Sequence, residues 1–495
     1  VNAVPSIRIR KTNADAVNEN GTFVLYWMIA GRRIRYNFAL QRAVELSMKL
    51  KKPLMIFEAL QWDYPWACHR FHAFILDGMR DNAAGIQKYP SIRYFPYVET
   101  GSGAGKGLLP ALAASACAVV TDDFPAFFLP DMVTAAAKKI SVAMEAVDAN
   151  GMLPLRAADH AYPTAYAFRR FLQKILPDHL PAAPESDPLE AVPPAFPGPV
   201  PIPEKILDRW PDAAGRLKKN DIDLTPLSVS REIPPAPLKG GNTEAARRLD
   251  AFLHRRLSTY DADRNHPDED AASGLSPYLH FGHIASHEVF NGVVGSEEWF
   301  FNHLSETAAG SKSGWWGMRP SAEAFLDQLI TWRELGFNMC AFREDYDRYD
   351  SLPDWAKATL AAHERDPRPY IYDIPALEGA HTHDPVWNAA QRQLVGEGRI
   401  HNYLRMLWGK KILEWSPSPR RALETMITLN NKFALDGRDP NSYSGIFWCL
   451  GRYDRPWGPQ RPVFGKVRYM SSENTLRKLR LQDYLAAWGP EKTAM

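Results

Sequence analysis

The chain has 495 residues, 45% hydrophobic and 12% aromatic, enough to bury a large core and ordinarily to form more than one domain. Lysine and arginine number 59 against 57 acidic residues, so bulk charge neither demands nor excludes a polyanionic partner, and a basic face must come from local clustering. The four cysteines (Cys68, Cys117, Cys340 and Cys449) lie far apart without CxxC spacing, which excludes a zinc pattern or disulfide framework and fits a reducing compartment.

The opening VNAVPSIRIRKTNADAV lacks the charged-then-apolar run of a secretory signal, and no stretch of eighteen apolar residues occurs. A soluble, cytoplasmic protein with no membrane partner is expected. The 15 tryptophans direct attention to stacking and electron-transfer roles as well as to the core.

In chain order, FVLYWMI (23–29) reads as a strand and YNFALQRAVELSMKL (36–50) as a helix. PLMIFEAL (53–60) is again strand-like, CHRFHAFILDGMRDNAAGI (68–86) helical, and IRYFPYVE (92–99) and ACAVVTDDF (116–124) continue the alternation. This pattern predicts a parallel sheet with helices on both faces, taken over 20–176. The cluster GSGAGKG (101–107) fails phosphate-loop spacing, because Gly107 follows Lys106 and no Ser or Thr comes next, so a flexible loop is expected.

Ten prolines between residues 177 and 203 predict an extended connector, taken over 177–240. Beyond it helix follows helix, and an all-helical domain is expected over 241–485. Between residues 388 and 482 there are 17 Lys and Arg against 7 Asp and Glu, an excess that attracts phosphates, although a solvated charged surface has the same composition.

Within the second region, SGLSPYLHFG (273–282) follows Tyr260 and the RNHP run from Arg264. Ser273 and Ser276 precede a helix expected to start near Pro277, where free amides and hydroxyls suit a diphosphate or serve simply as a cap. HNYLRMLWGKKILEW sets Arg405, Trp408 and Lys411 at successive three-residue steps, with Trp415 two turns after Trp408. TLNNKFALDGRDPNSYSG then supplies Asp436 and Asp439, able to read the polar edge of a flavin or to form an ordinary Asp-Gly turn with a proline stop.

Seven blocks, FVLYWM…YNFALQRAVELSMKL, LSPYLHFGHI, ITWRELGFNMC, THDPVWNAAQ, HNYLRMLWGKKILEW, LNNKFALDGRDPNSY and VFGKVRYM, resemble in order the signature blocks of class II cyclobutane-pyrimidine-dimer photolyases, from about residue 22 to 480. The resemblance implies a Rossmann-like antenna domain, a long connector and a helical domain that holds FAD. It places Tyr260, Arg264, Ser273, Leu275 and Ser276 on the FAD phosphates, Arg405 and Asp436 as an ion pair beside the isoalloxazine, and Asn430, or alternatively Asn441, at flavin N5. Asp439 joins that cofactor-binding group. Trp408, Trp387 and Trp415 fall on the family's electron-transfer chain.

The implied reaction is light-driven repair of cyclobutane pyrimidine dimers by an electron from reduced FAD, with the lesion flipped out of duplex DNA. Trp332, Met406 and Trp448 match lesion-contacting positions, and Trp457 and Arg468 would lie near the duplex opening. Some members bind an antenna chromophore, a deazaflavin or similar molecule, but no residue signature identifies one here. The family resemblance also implies a monomer.

The sequence also departs from the family pattern at several positions. Gln328 stands where the family carries a glutamate that contacts the dimer; its amide donates hydrogen bonds but lends no proton. Asp327 is adjacent, yet on a helix it points about 100° away. The segment WCLGRYDRPW (448–457) is one residue short with Tyr453 in place of a histidine, Leu407 and Asn431 replace a tyrosine and an aspartate, and the stretch 295–317 with Trp315 and Trp316 is longer than usual. A cryptochrome-like blue-light receptor, or a flavoenzyme for another lesion, is the alternative expectation.

Overall fold

The computed structural model describes residues 2–194, 196, 198–223 and 232–490. They form two compact units: Val1–Asp159, Ile175–Asp250 and Leu275–Val293 make the first, and His160–Lys174, Ala251–Gly274 and Val294–Met495 the second.

The first unit is built on a six-stranded sheet, β1 (Ile9–Lys11), β2 (Phe23–Met28), β3 (Leu54–Leu60), β4 (Arg93–Val98), β5 (Ala116–Asp122) and β6 (Ala143–Val147), in the order β1-β6-β5-β2-β3-β4. All neighbours run parallel except β1, which pairs antiparallel to β6. Because side chains alternate along a strand, Val24, Tyr26 and Met28 enter one core with Phe38, Leu40 and Val44. Phe23, Leu25 and Trp27 enter the other with Leu108, Leu112 and Val133. Two buried faces explain why β2 is apolar throughout rather than alternating.

Each expected strand and helix of this region is present within one or two residues. The structure adds β1, β6 and the helices Leu108–Ala113 and Leu129–Ala137, all of them short. The glycine cluster at 101–107 is a turn tied down from within. Glu99 accepts from the Gly105 N–H at 2.7 Å and from the Trp62 N–H at 2.7 Å, and the Trp210 indole N–H donates to the Ala104 carbonyl at 2.9 Å.

The proline-rich stretch is folded onto this unit. Pro177 lies inside the Ala165–His179 helix, and short helices span Pro188–Ala191, Glu204–Arg209 and Ala214–Lys219. Leu189 and Val192 join the first core, and Val200, Ile206 and Trp210 join the second. The connector residues 195, 197 and 224–231 lie outside the described residues.

The second unit is helical. Three of its helices start at a polar cap followed by proline: Asp384 caps Pro385–Glu397, Ser418 caps Pro419–Phe433 and Asp439 caps Pro440–Trp448. Each cap side chain accepts a first-turn N–H, and proline at the next position loses nothing because its N–H has no intrahelical partner there. Residues 320–342 run as Pro320–Leu326, a π-helical turn Asp327–Trp332, and Arg333–Phe342. Among the described residues, no helix is long and apolar enough to cross a membrane, no His/Cys/Asp/Glu group could hold a metal, and the four cysteines are buried and form no disulfide.

Candidate cofactor and substrate site

Arg405, in the helix Asn402–Trp415, reaches across to Asp436 in the turn that follows Pro419–Phe433 and donates to its Oδ1 at 2.8 Å. Both side chains are largely buried, at 14% and 13% exposure. The turn is held by Asn431, whose Oδ1 accepts the Arg438 N–H at 3.1 Å and whose amide donates to the Tyr443 hydroxyl at 3.1 Å. Arg438 closes the loop with φ 65° and a 2.6 Å bond from its guanidinium to the Asn431 carbonyl. Asn431, a departure from the family pattern, is thus the residue that shapes the Asp436 turn.

Asn430 is buried and donates to the Ser442 hydroxyl at 2.8 Å. Asn441 is exposed on the first turn of the next helix, and its backbone N–H is taken by Asp439 at 2.9 Å. Burial therefore favours Asn430 of the two asparagines, and Asp439 acts as a helix cap.

The arginine pair has unfilled capacity near it. Arg405 Nε is buried without a hydrogen-bond partner, and both ring nitrogens of His401 are in the same state. Burial pushes the His401 imidazole down to about 4, so it is neutral at physiological pH; the Arg264 carbonyl favours the charged ring without reaching hydrogen-bond geometry. Arg264 also lies 5.7 Å from the Tyr260 ring centroid, and Tyr260 is held edge-on by Phe252 and Phe325 at 5.7 and 5.4 Å. Burial raises the Tyr260 phenol, keeping it neutral. Buried donors without protein acceptors are expensive, so this part of the helical unit fits a polar cofactor. His401 opens the block HNYLRMLWGKKILEW but is not among the site residues to which the sequence points. Ser273 precedes Gly274 (φ 68°), while the buried Leu275 and exposed Ser276 open the five-residue helix Ser276–His280 of the first unit.

The three tryptophans are in contact. Trp387 and Trp408 are stacked at 6.4 Å between centroids, and Trp387 meets Trp415 edge-to-face at 5.6 Å. Trp408 donates its indole N–H to Gln391 at 2.8 Å. All three are buried, and the aromatic contacts continue from Trp415 to Tyr372 at 5.4 Å and His383 at 5.3 Å. Exposed Tyr370 stacks on His383 at 3.8 Å.

Of the residues expected to meet the substrate, Gln328 and Trp332 lie within the π-helical turn and are half-buried. The following helix, Arg333–Phe342, packs along Pro440–Trp448 with Gly336 so close that an added Cβ would lie 2.6 Å from the Pro440 carbonyl. Met406 and Trp448 are half-buried on neighbouring helices, with the Cys449 thiol 3.8 Å from the Met406 carbonyl. Asp327 cannot stand in for the missing glutamate: Arg169 grips both its oxygens, at 2.8 and 3.2 Å, and both side chains are nearly inaccessible. The long segment 295–317 packs as an aromatic cluster in which Trp315 and Trp316 are buried and Trp299 donates to the Trp316 carbonyl.

Near the chain's basic end, the Trp457 indole N–H donates to Asp454 at 3.0 Å, and the Arg468 guanidinium lies 4.0 Å from the Trp457 ring and 5.4 Å from Trp448. Arg468 and Asp454 form an ion pair at 3.2 Å outside hydrogen-bond geometry. Tyr453, at the customary histidine position, is buried with φ 65° and its phenol pushed up to about 12 by burial. The local basic excess is only partly exposed. Arg438, Lys410 and Arg452 are buried, whereas Arg455, Arg461, Lys466, Arg477 and Lys478 face solvent.

A Rossmann-like α/β unit joined to a helical unit is also the architecture of a solved bacterial class III photolyase from Agrobacterium tumefaciens, with TM-score 0.65, 16% identity, and 96% of this chain and 87% of that one covered. No protein-family model matches the chain. It is 33% identical over 490 residues to a deoxyribodipyrimidine photo-lyase of Methanothermobacter thermautotrophicus, covering 97% of each chain. A deoxyribodipyrimidine photo-lyase of Oryza sativa is 34% identical over 480 residues, with 94% and 87% covered. The chain belongs to the photolyase/cryptochrome family, as an enzyme of the deoxyribodipyrimidine photo-lyase kind.

Proposed function

We propose that this chain is a class II photolyase that repairs cyclobutane pyrimidine dimers in DNA. The observation that carries this reading is the continuous contact of Trp408, Trp387 and Trp415 in the same helical unit as the Arg405–Asp436 pair. FAD, when bound, supplies absorption of blue or near-ultraviolet light and a single transferable electron. Arg405, Asp436 and Asn430 would hold the polar edge of its ring system, Tyr260, Arg264 and Ser273 its phosphates, and His401 would accept or donate a hydrogen bond within that pocket. Neighbouring indoles permit short electron hops, so the tryptophans form a relay that can return the cofactor to its reduced state. Trp332, Met406 and Trp448 would receive a dimer flipped from the duplex, with Trp457 and Arg468 at the gap and exposed Arg455, Arg461 and Lys466 on phosphates.

A sensor of blue light is the second reading, favoured by Gln328 together with the engagement of Asp327 by Arg169. The two part on one experiment: illumination of reduced, FAD-loaded protein with a dimer-containing oligonucleotide, followed by chromatography. Light-dependent return of intact pyrimidines supports repair. A dimer that survives while FAD photoreduces normally overturns it in favour of sensing or another lesion.

A further inference from the structure

Lys410 is fully buried, and among the described residues its ammonium has a single hydrogen-bond acceptor, the Cys449 carbonyl at 2.8 Å, with no carboxylate at ion-pair distance. It sits one helical turn beyond Met406, on the same face, and its Nζ lies 4.8 Å from the centroid of the Trp448 ring. The other cation near that ring, Arg468, is offset by Asp454. An ammonium buried without a counter-charge is costly, and a carbonyl cap at a helix end could be met by a neutral group. The charge therefore needs a reason beyond packing.

Resting on the repair reading above, we propose that Lys410 is a positioning residue of the lesion pocket: its positive charge, set against Trp448, stabilises negative charge arriving on the dimer, the task that Gln328 cannot take on by lending a proton. The charge acts across Trp448 and Met406 rather than by contact with substrate. It is also switchable. Burial, aided by Arg468, pushes the ammonium down to about 8, while Cys449 and Asp454 oppose that. The Cys449 thiol is itself pushed up to about 11 by burial, so Lys410 is the group here that loses charge first as pH rises.

The test compares the FAD-loaded protein with Lys410→Met and Lys410→Arg from pH 6.5 to 9.5. The readouts are repair per photon, the shortening of flavin fluorescence lifetime by a dimer-containing oligonucleotide, and dark binding of that oligonucleotide. Lys410→Met should lower repair per photon about three- to ten-fold at pH 7, the size of one charge felt through a partly screened interior. Dark affinity should change less than two-fold. The unaltered protein should fall toward the Lys410→Met level as pH rises through 8, Lys410→Met should be flat there, and Lys410→Arg should hold its yield to higher pH. A readout independent of turnover is Trp448 emission, taken as the difference from Trp448→Phe without light-driven repair; it should titrate near pH 8 and lose that step in Lys410→Met. Equal lifetime shortening in the unaltered and Lys410→Met proteins, or a pH fall that persists in Lys410→Met, overturns the role of Lys410 alone. No shortening in the unaltered protein overturns the repair reading and this one with it. Should Lys410→Met fail to fold, the pH profiles of the unaltered protein and Lys410→Arg decide.

Discussion

Trp387 and Trp408 lie parallel, with ring planes 3° apart and centroids 6.4 Å apart, and the Trp387 indole N–H donates to the Trp408 carbonyl at 3.1 Å, so the pair is locked by a bond to the backbone of the helix that carries its partner. A hydrogen bond to backbone survives side-chain changes at Trp408. Trp408→Phe should therefore keep the fold and bound FAD while blocking light-driven reduction of oxidised FAD. Flavin absorbance under illumination checks this, and undiminished photoreduction removes Trp408 from the relay.

Gln328 is half-buried, and the adjacent carboxylate is engaged elsewhere. Gln328→Glu adds an acid of the same shape, so repair per photon should rise severalfold if the chain is a weakened dimer photolyase. Chromatographic counting of restored pyrimidines against absorbed light decides it; an unchanged yield shows that this position does not limit the reaction.

Asp436→Asn leaves the Arg405 guanidinium, whose Nε already lacks a partner, without its carboxylate. Loss of one member of a largely buried pair costs about 3 kcal/mol. The expected result is FAD occupancy reduced by at least ten-fold after purification, read from the ratio of flavin to protein absorbance. Occupancy equal to the unaltered protein would detach this pair from the cofactor.

Asp327→Asn should destabilise by about 2–3 kcal/mol, because Arg169 remains buried without its bidentate partner. Thermal unfolding reads this directly. Double substitution with Arg169→Met should recover part of the loss, since no buried charge is then left alone.

His72 and His283 are buried, and burial pushes them down to about 4 and about 3. Each has a folded value below its unfolded 6.5, so the unfolded chain binds more protons in between and stability falls as pH drops from 6.5 toward 4. Each contributes a slope of up to about 1.4 kcal/mol per pH unit. Denaturant midpoints from pH 7 to 4.5 should show this, and His72→Phe should flatten part of the slope. A slope unaltered in that variant would set His72 aside.

The legible parts of the fold share a cause. β2 to β5 and their helices are long or wholly apolar, and burial on two faces writes itself into composition. β1 and β6 have three and five residues, and their places come from pairing with each other, as in Ile9 opposite Val147. The π-helical turn at Asp327–Trp332 leaves no mark in periodicity because it is a change of backbone hydrogen bonding. In the candidate site, the tryptophans and the Arg405–Asp436 positions could be named from motif blocks. The grip of Arg169 on Asp327 spans 158 residues, and the unpartnered nitrogens of His401 are a property of packing; neither has a sequence signature.

The proline-rich stretch that seals both faces of the sheet has a practical consequence for dissecting the molecule. A fragment cut at residue 176 would strip Leu189 and Val192 from one face and Val200, Ile206 and Trp210 from the other, leaving two greasy surfaces that favour self-association. An N-terminal piece carried through Lys219 would keep those five side chains, so what reads on paper as a tether is part of two cores.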